Sequence, residues 1–462
     1  MNFRKTIPRV ATLLSICLLA TFSHASETKS PVTKKNYPSL LLITVDTLRT
    51  DRLPFYGHKR NTAPFLGKLA GEGIVFTNAY STSSWTVPAA TSLVTGIYPS
   101  SHGIVYGFTK KEHIYKQEPV PQELPNLPEQ LRALGYRTYA VTANYHLTKE
   151  LGFGRGFDRY ACVGFCPAEK VNQSFLRWKH EIETHNGPVF IWLHYFDPHI
   201  PYIARQPWLK QYQNDETEAE SGRISSLYRP LLLKKEIKAK GQRILTLAQS
   251  HYDSEINYCD EHIKNLFQKF PSLEKYVLAF TADHGEEFRE HGRLGHAQNL
   301  YNYTVRIPFF IRTPEAVSVT NSKEIASLVD VAPTLLAIAG GKAPPSWQGR
   351  ALIDQRRQVS PQKERYVLAQ LHNGKAPPLN ALIGTNWKLI INDKTQAKEL
   401  YNLMDDPTER KNLTTLQPEK TRQQSEVLQK LLLSLAPAPK TGEKKPLQKD
   451  KEEMLRSLGY IQ

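Results

Sequence analysis

The sequence predicts an α/β protein, with a mostly parallel central sheet flanked by helices and a smaller C-terminal α+β subdomain. Three observations carry this. Five short apolar runs recur between long helical or loop segments. Runs of that kind, apolar throughout instead of alternating, suit strands buried on both faces. At 462 residues the chain exceeds the roughly 250–300 at which one hydrophobic core stops growing, so two lobes are expected. Finally, "NALIGTNWKLII" places the turn formers Gly384, Thr385 and Asn386 between two apolar stretches, which is a hairpin signal.

The N-terminus comes first. Arg4, Lys5 and Arg9 precede "VATLLSICLLATF", too short for a spanning helix, and "SHA" at 23–25 offers small residues for cleavage. We expect a signal peptide over 1–25, a linker over 26–36, export to a periplasm or the medium, and no membrane span once the signal is removed. The apolar runs follow: "LLLITV" before Asp46, "YRTYAVTA" near 136, "PVFIWLHY" at 188, "YVLAFTAD" at 276 and "RIPFFIR" at 306, all read as buried parallel strands. "SLVDVAPTLLAIAGG" reads as a helix, with Pro333 in its first turn and Gly340 as its stop. The proline-rich "KAPPSW" after it marks a boundary. A catalytic domain over 37–342 is expected, then a subdomain over 343–435. A Lys/Pro-rich linker and short terminal helix would occupy 436–462.

Composition limits the partners. With 40% hydrophobic and 23% charged residues the chain is globular, not disordered. Its formal net charge is +16, and +13 once Arg4, Lys5 and Arg9 are removed. A basic exported protein attracts anionic glycans or phosphorylated lipids by long-range steering. Many of the bases, however, lie in the solvated tail "KTGEKKPLQKDKEE", and no arginine stripe interleaved with aromatics is present, so nucleic acid is not expected as a partner. Of the cysteines, Cys162 and Cys166 in "CVGFC" could close a small disulfide loop in an oxidising compartment, while Cys259 lies in a helical pattern and is expected to be a buried thiol.

The chemistry concentrates at strand ends. Asp46 follows the first run, His199 the third, and Asp283 with His284 the fourth. In open α/β sheets ligands bind outside the carboxyl ends of the strands, so three strands deliver acid–base or metal-ligating groups to one edge. Each residue alone reads as a turn-closing Asp or a surface His; together they read as a site. In "SSWTVPAATSLVTG", Pro88 suits a first helical turn and sets Thr86 at its start, where free N–H groups favour negative charge. Its hydroxyl is either a helix cap or a nucleophile.

Taken in order, "ITVDTLRTDRL", "TVPAATSLVTGIYPSSHG", "GFGRGFDRY", "WLHYFDPHIPY", "TADHGEEFREHG", "ELYNLMDDPTERKNL" and "LRSLGYI" resemble the sulfatase family of the alkaline phosphatase superfamily from about residue 38 to the end. The resemblance implies metal carboxylates at Asp46 and Asp283, a nucleophile at Thr86, and a further ligand at His284, as in phosphonate ester hydrolases and phosphoethanolamine transferases. It implies that His199 and His296 bind the transferred group and protonate the leaving oxygen, with His291 a spectator. Four departures matter. Thr86 cannot become the formylglycine of typical sulfatases, because its Cβ methyl would give a ketone, and the arginine that normally follows is missing. Thr47 replaces a second aspartate, and Asn144 stands near a usual lysine.

These departures shape the expected chemistry. An ester on threonine must be broken at the central atom, which suits phosphorus better than sulfur. The expectation is one divalent cation at Asp46, Thr86, Asp283 and His284, zinc or manganese before calcium, and an anionic sulfate, phosphate or phosphonate ester as substrate, on a polysaccharide or a phospholipid-derived group. A headgroup transferase and a non-catalytic binder of an acidic polymer are the alternative classes. The oligomeric state is open.

Overall fold

The structure, a computed structural model, describes residues 37–105, 109–111, 114–212, 223–224, 239–315, 321–354, 359, 365–439, 445–446 and 452–453. The expected signal peptide, the linker to residue 36 and most of the terminal tail and helix lie outside the described residues.

The central strands are β1 (Leu40–Val45), β2 (Gly73–Tyr80), β3 (Arg137–Thr142), β4 (Arg159–Cys162), β5 (Val189–Tyr195), β6 (Val277–Ala282), β7 (Phe309–Arg312) and β8 (Asn321–Ser327). They form one sheet in the order β8-β2-β7-β6-β1-β5-β3-β4. Every residue of β1, β5 and β6 is buried, which is why these strands read as unbroken apolar runs.

One expectation is corrected. The run at 306–312 was read as parallel, yet β7 pairs antiparallel with both β6 and β2. A parallel partner needs a crossover that returns the chain to the sheet's opposite edge. Between β6 and β7 the described structure holds only a two-residue ribbon (Glu287–Phe288 with Leu294–Gly295) and a four-residue helix (Asn302–Val305), and the chain turns straight back. Strands β2, β4 and β8 were not read from the sequence. In β8, "NSKEIAS" is polar and alternately exposed, as an edge strand can be.

The helices are α1 (Pro64–Gly71), α2 (Thr86–Thr95), α3 (Leu127–Ala133), α4 (Ala168–Leu176), α5 (Ala239–Lys269), α6 (Val331–Ile338) and α7 (Pro418–Ser434). Helix α5 packs against α1 and α4, whereas α6 packs against α2 and α3. Leu245, Ala248, Tyr252, Ile256, Cys259, Ile263 and Leu266 are buried on α5 at three- and four-residue spacings, a single core-facing stripe. Cys259 is thus the buried thiol expected, and Cys162 and Cys166 are not bridged here. Helix α2 stops at Gly96, which takes φ 64°. That left-handed conformation costs a glycine little.

The C-terminal strands β9 (Val367–Leu371), β10 (Leu379–Ile383), β11 (Trp387–Asn392) and β12 (Lys398–Asn402) form an antiparallel sheet in that order, and the expected 384–386 hairpin joins β10 to β11. Its side chains sort by period two. Val367, Ala369, Leu371, Ala381, Ile383, Ile390 and Tyr401 join an apolar cluster with Trp85 and Val87. Leu368, Leu382, Leu389 and Leu400 face Leu428 of α7. Alternation ordinarily marks a half-exposed sheet; here both faces are covered, so one face of this sheet supports the residues flanking Thr86.

Candidate active site

Strands β6, β1 and β5 are neighbours, with Val45 in register with Ala282 on one side and Tyr195 on the other. The first residues beyond these ends are therefore side by side. Asp46 leaves β1 with its N–H donating to the Tyr195 carbonyl (2.9 Å). Asp283 leaves β6, and its Oδ1 accepts the backbone N–H groups of His284 (2.8 Å) and Thr47 (3.2 Å). Thr47, at the position where an aspartate was expected, contributes its main chain and holds φ 55°. A β-branched residue there is strained. Tyr252 of α5 pins the turn: its hydroxyl donates to the Thr47 carbonyl (2.7 Å) and accepts from Arg49 N–H (3.0 Å).

The two carboxylates are fully buried and repel. Asp283 is pushed up to about 7, by burial and then by the Asp46 charge. Asp46 is held well below the usual carboxylate range although burial opposes this, because His199, His194 and His284 surround it. Asn144 Nδ2 donates to Asp46 Oδ2 (2.8 Å).

Asp46 Oδ1 and Asp283 Oδ2 have no hydrogen-bond partner, and both point at one imidazole nitrogen. His284 Nε2 lies 3.6 Å from Asp46 Oδ1 and 3.5 Å from Asp283 Oδ2. Its Nδ1 is 2.9 Å from the Gly285 carbonyl, which assigns the proton to Nδ1 and leaves an Nε2 lone pair facing the carboxylates. Two orphaned carboxylate oxygens and a free lone pair make a donor set that suits a divalent cation. Thr86 adds a fourth atom, with Oγ1 3.3 Å from His284 Nε2. The cap position of α2 is Trp85 and no side chain caps the helix, so the Thr86 hydroxyl serves the site and not the helix end.

Asp46 and Asp283 also group with His194, all three ligand atoms lying within 4.8 Å of one another. Trp192 Nε1 donates to Thr44 Oγ1 (3.0 Å), freeing the Thr44 proton for His194 Nδ1 (2.8 Å). We therefore assign the His194 proton to Nε2, 3.5 Å from Asp46 Oδ2, as a support of that carboxylate.

The remaining imidazoles line up. The His199 ring is 4.5 Å from Phe196 and 5.0 Å from His296, whose ring is 4.6 Å from His284. His296 Nδ1 is 3.0 Å from Glu286 Oε1; burial pushes this carboxyl up to about 7, against the pull of His199 and His284. His291, by contrast, stacks on Tyr301 at 3.7 Å and approaches the Thr408 carbonyl (3.1 Å), as a spectator would.

The structure thus brings together Asp46, Thr86, His199, Asp283, His284 and His296. Sequence reasoning missed His194, Glu286 and His146. His146 is buried and pulled down to about 3, chiefly by burial, and Asp46, His199 and His296 all act on it electrostatically. The available signal was local: His146 closely follows a strand end, and Glu286 stands two residues after His284.

The family model described as Sulfatase matches residues 38–341, and that for N-sulphoglucosamine sulphohydrolase, C-terminal, matches 290–436. An ulvan-active sulfatase of Formosa agariphila is 26% identical over 401 residues, which are 80% of this chain and 62% of that protein's length. Among solved structures, a complex with the substrate D-glucosamine-2-N,6-O-disulfate superposes with TM-score 0.68 at 20% identity, covering 86% of this chain and 97% of the other. The phosphonate monoester hydrolase of Agrobacterium radiobacter also gives TM-score 0.68, at 18% identity, covering 85% of this chain and 95% of the other.

Proposed function

Because this chain belongs to the sulfatase family, whose model spans residues 38–341, we propose that it is an exported, metal-dependent hydrolase of anionic esters that uses Thr86 as its nucleophile. The observation that carries the reading is the convergence of Thr86 Oγ1, His284 Nε2 and two orphaned carboxylate oxygens on one buried point.

Asp46, Asp283 and His284 would hold the cation, with Thr86 completing the set. When bound, a divalent ion lowers the pKa of a coordinated hydroxyl and draws charge from the ester oxygens. The lone pair that accepts the Thr86 proton in the metal-free arrangement is the one His284 would give to the ion. Zinc or manganese fits the mixed Asp and His donors better than calcium.

Thr86 would give its proton to solvent when the cation binds, and its Oγ1 then attacks the central atom, the new bond forming as the bond to the leaving oxygen breaks. Glu286 Oε1 holds His296 at Nδ1, and the ring's Nε2 can give a proton to the leaving oxygen. His199 stands against His296 and serves the transferred group's oxygens. Water, giving a proton back to His296 Nε2, then attacks the same atom as its bond to Thr86 Oγ1 breaks. With a methyl on Cβ, Thr86 offers no route through an aldehyde hydrate, and attack at the centre favours a phosphate or phosphonate over a sulfate. The relatives' substrates suggest an ester borne on a saccharide.

The test is a turnover panel of matched aryl sulfate, phosphate monoester, phosphate diester and phosphonate on the metal-reconstituted protein, with Thr86→Ala alongside. Phosphoester or phosphonate turnover that vanishes in the variant is expected. Activity that survives the substitution would defeat the nucleophile assignment, and efficient sulfate turnover would defeat the preference for phosphorus.

A further inference from the structure

The site described above is built of carboxylates, imidazoles, an amide and a hydroxyl, and a lysine stands on the loop of the C-terminal sheet that is hydrogen-bonded to the turn after His296. Lys375 lies in the 372–378 connection between β9 and β10 and is exposed. The loop is tightly held. Asn373 Oδ1 accepts the N–H groups of Lys375 (3.0 Å) and Ala376 (2.9 Å), and Gly374 between them takes φ 72°. Asn373 Nδ2 donates to the Ala297 carbonyl (2.9 Å), immediately after His296, and Ala297 N–H donates to the Ser84 carbonyl (2.8 Å), two residues before Thr86. Ala376 packs into the apolar cluster that contains Trp85 and Val87, the two neighbours of Thr86.

The base of Lys375 is therefore tied by successive hydrogen bonds to the turns that carry His296 and Thr86. Its charge also acts on His146, a buried ring on which Asp46, His199 and His296 act as well. Thr86, Asp46, Asp283 and His284 form the buried floor. An exposed lysine on a loop tied to the turns of His296 and Thr86 is placed to meet the part of the substrate that stays outside.

We propose that Lys375 is a specificity-determining residue that receives an anionic group on the leaving-group side of the ester, so that the preferred substrate carries a second negative charge beyond the one that reacts. This rests on the reading of the site as an ester hydrolase, and it narrows the substrate class to esters whose alcohol portion is itself anionic, such as a uronate or a multiply esterified sugar.

The experiment compares 4-carboxyphenyl phosphate with its neutral isostere 4-carbamoylphenyl phosphate on the full chain. Wild-type protein should favour the carboxylate in kcat/KM, mainly through KM, by about three- to tenfold, the range for an ionic hydrogen bond at a partly solvated rim. Lys375→Ala should bring the ratio of the two kcat/KM values close to one, and Lys375→Glu should invert it. A ratio that neither variant changes, including an equal loss on both esters, overturns the proposal. Turnover of neither ester by wild-type protein would defeat the hydrolase reading on its own. The inference is then decided by calorimetric binding of the same two esters to Thr86→Ala protein. A carboxylate preference that an added Lys375→Glu reverses upholds it, and equal or absent affinity overturns it.

Discussion

Thr86 Oγ1 lies 3.3 Å from His284 Nε2, and that nitrogen is in turn 3.5 Å from Asp283 Oδ2 and 3.6 Å from Asp46 Oδ1. One lone pair therefore stands among a hydroxyl and two carboxylates that start at distant points of the chain. Since Trp85 occupies the helix cap, replacing Thr86 by alanine removes no cap and sacrifices one hydrogen bond, about 0.5–1.5 kcal/mol. Thr86→Ala should unfold cooperatively near the wild-type denaturant midpoint while losing turnover. Mass spectrometry of the peptide carrying residue 86 should find unmodified threonine.

The paired carboxylates predict a response to metal. Asp283 and Asp46 repel across a buried space that a cation would neutralise. Zinc or manganese at a hundredfold excess over its dissociation constant should stabilise the protein by about 2.7 kcal/mol. Asp283→Asn should abolish most of that gain in thermal denaturation. A full gain in that variant would mean that the ion binds elsewhere.

A third prediction concerns the buried pair Lys388 and Glu409. They meet at 2.6 Å with both side chains fully buried, and Glu409 Oε2 also accepts Asn302 N–H (2.6 Å). Removing one partner strands a buried charge, which costs about 3–5 kcal/mol. Lys388→Ala should lower the chemical denaturation midpoint by that equivalent. Lys388→Met together with Glu409→Gln should be less damaging than Lys388→Ala, because no charge remains buried and the Asn302 N–H keeps an acceptor.

The fourth is a pH dependence at Arg49 and Asp51, which pair at 2.6 Å. Burial opposes ionisation of Asp51, but Arg49 outweighs it and lowers this carboxyl from 3.8 to about 2. The folded value lies below the unfolded one, so the stabilisation is fully present above about pH 4 to 5 and is lost as pH falls through 2. Asp51 is 46% exposed, and solvent screening reduces the contribution to about 1 kcal/mol. Asp51→Asn should cost about that much at pH 7, and the difference from wild type should close below about pH 2. A difference independent of pH would show that packing, not charge, explains the loss.

Much of the site was legible because its determinants are local. An apolar run long enough for a buried strand, followed at once by an acid, is visible in Asp46 and Asp283 without knowledge of their neighbours. The same held for Pro88 two residues after Thr86. His194 was hidden because its ring is read only against Thr44 and Trp192, and one of those partners is 150 residues away. The direction of β7 was misread because an apolar run carries no sign of which way its strand runs; the connection decides that.

The sequence by itself determined which side chains end the central strands, that a threonine stands at the start of α2 two residues before Pro88, and where the C-terminal hairpin turns. These follow from chain-local periodicity, turn chemistry and covalent structure. Only the tertiary structure decided that β6, β1 and β5 are adjacent, which aligns Asp283 beside Asp46, that Thr86 escapes the capping role, and that the loop carrying Lys375 is tied to the turn after His296. Such relations depend on pairings across long separations, including the 236 residues between Thr47 and Asp283. The cost of closing such loops is met by burial of the whole sheet, not by any one segment.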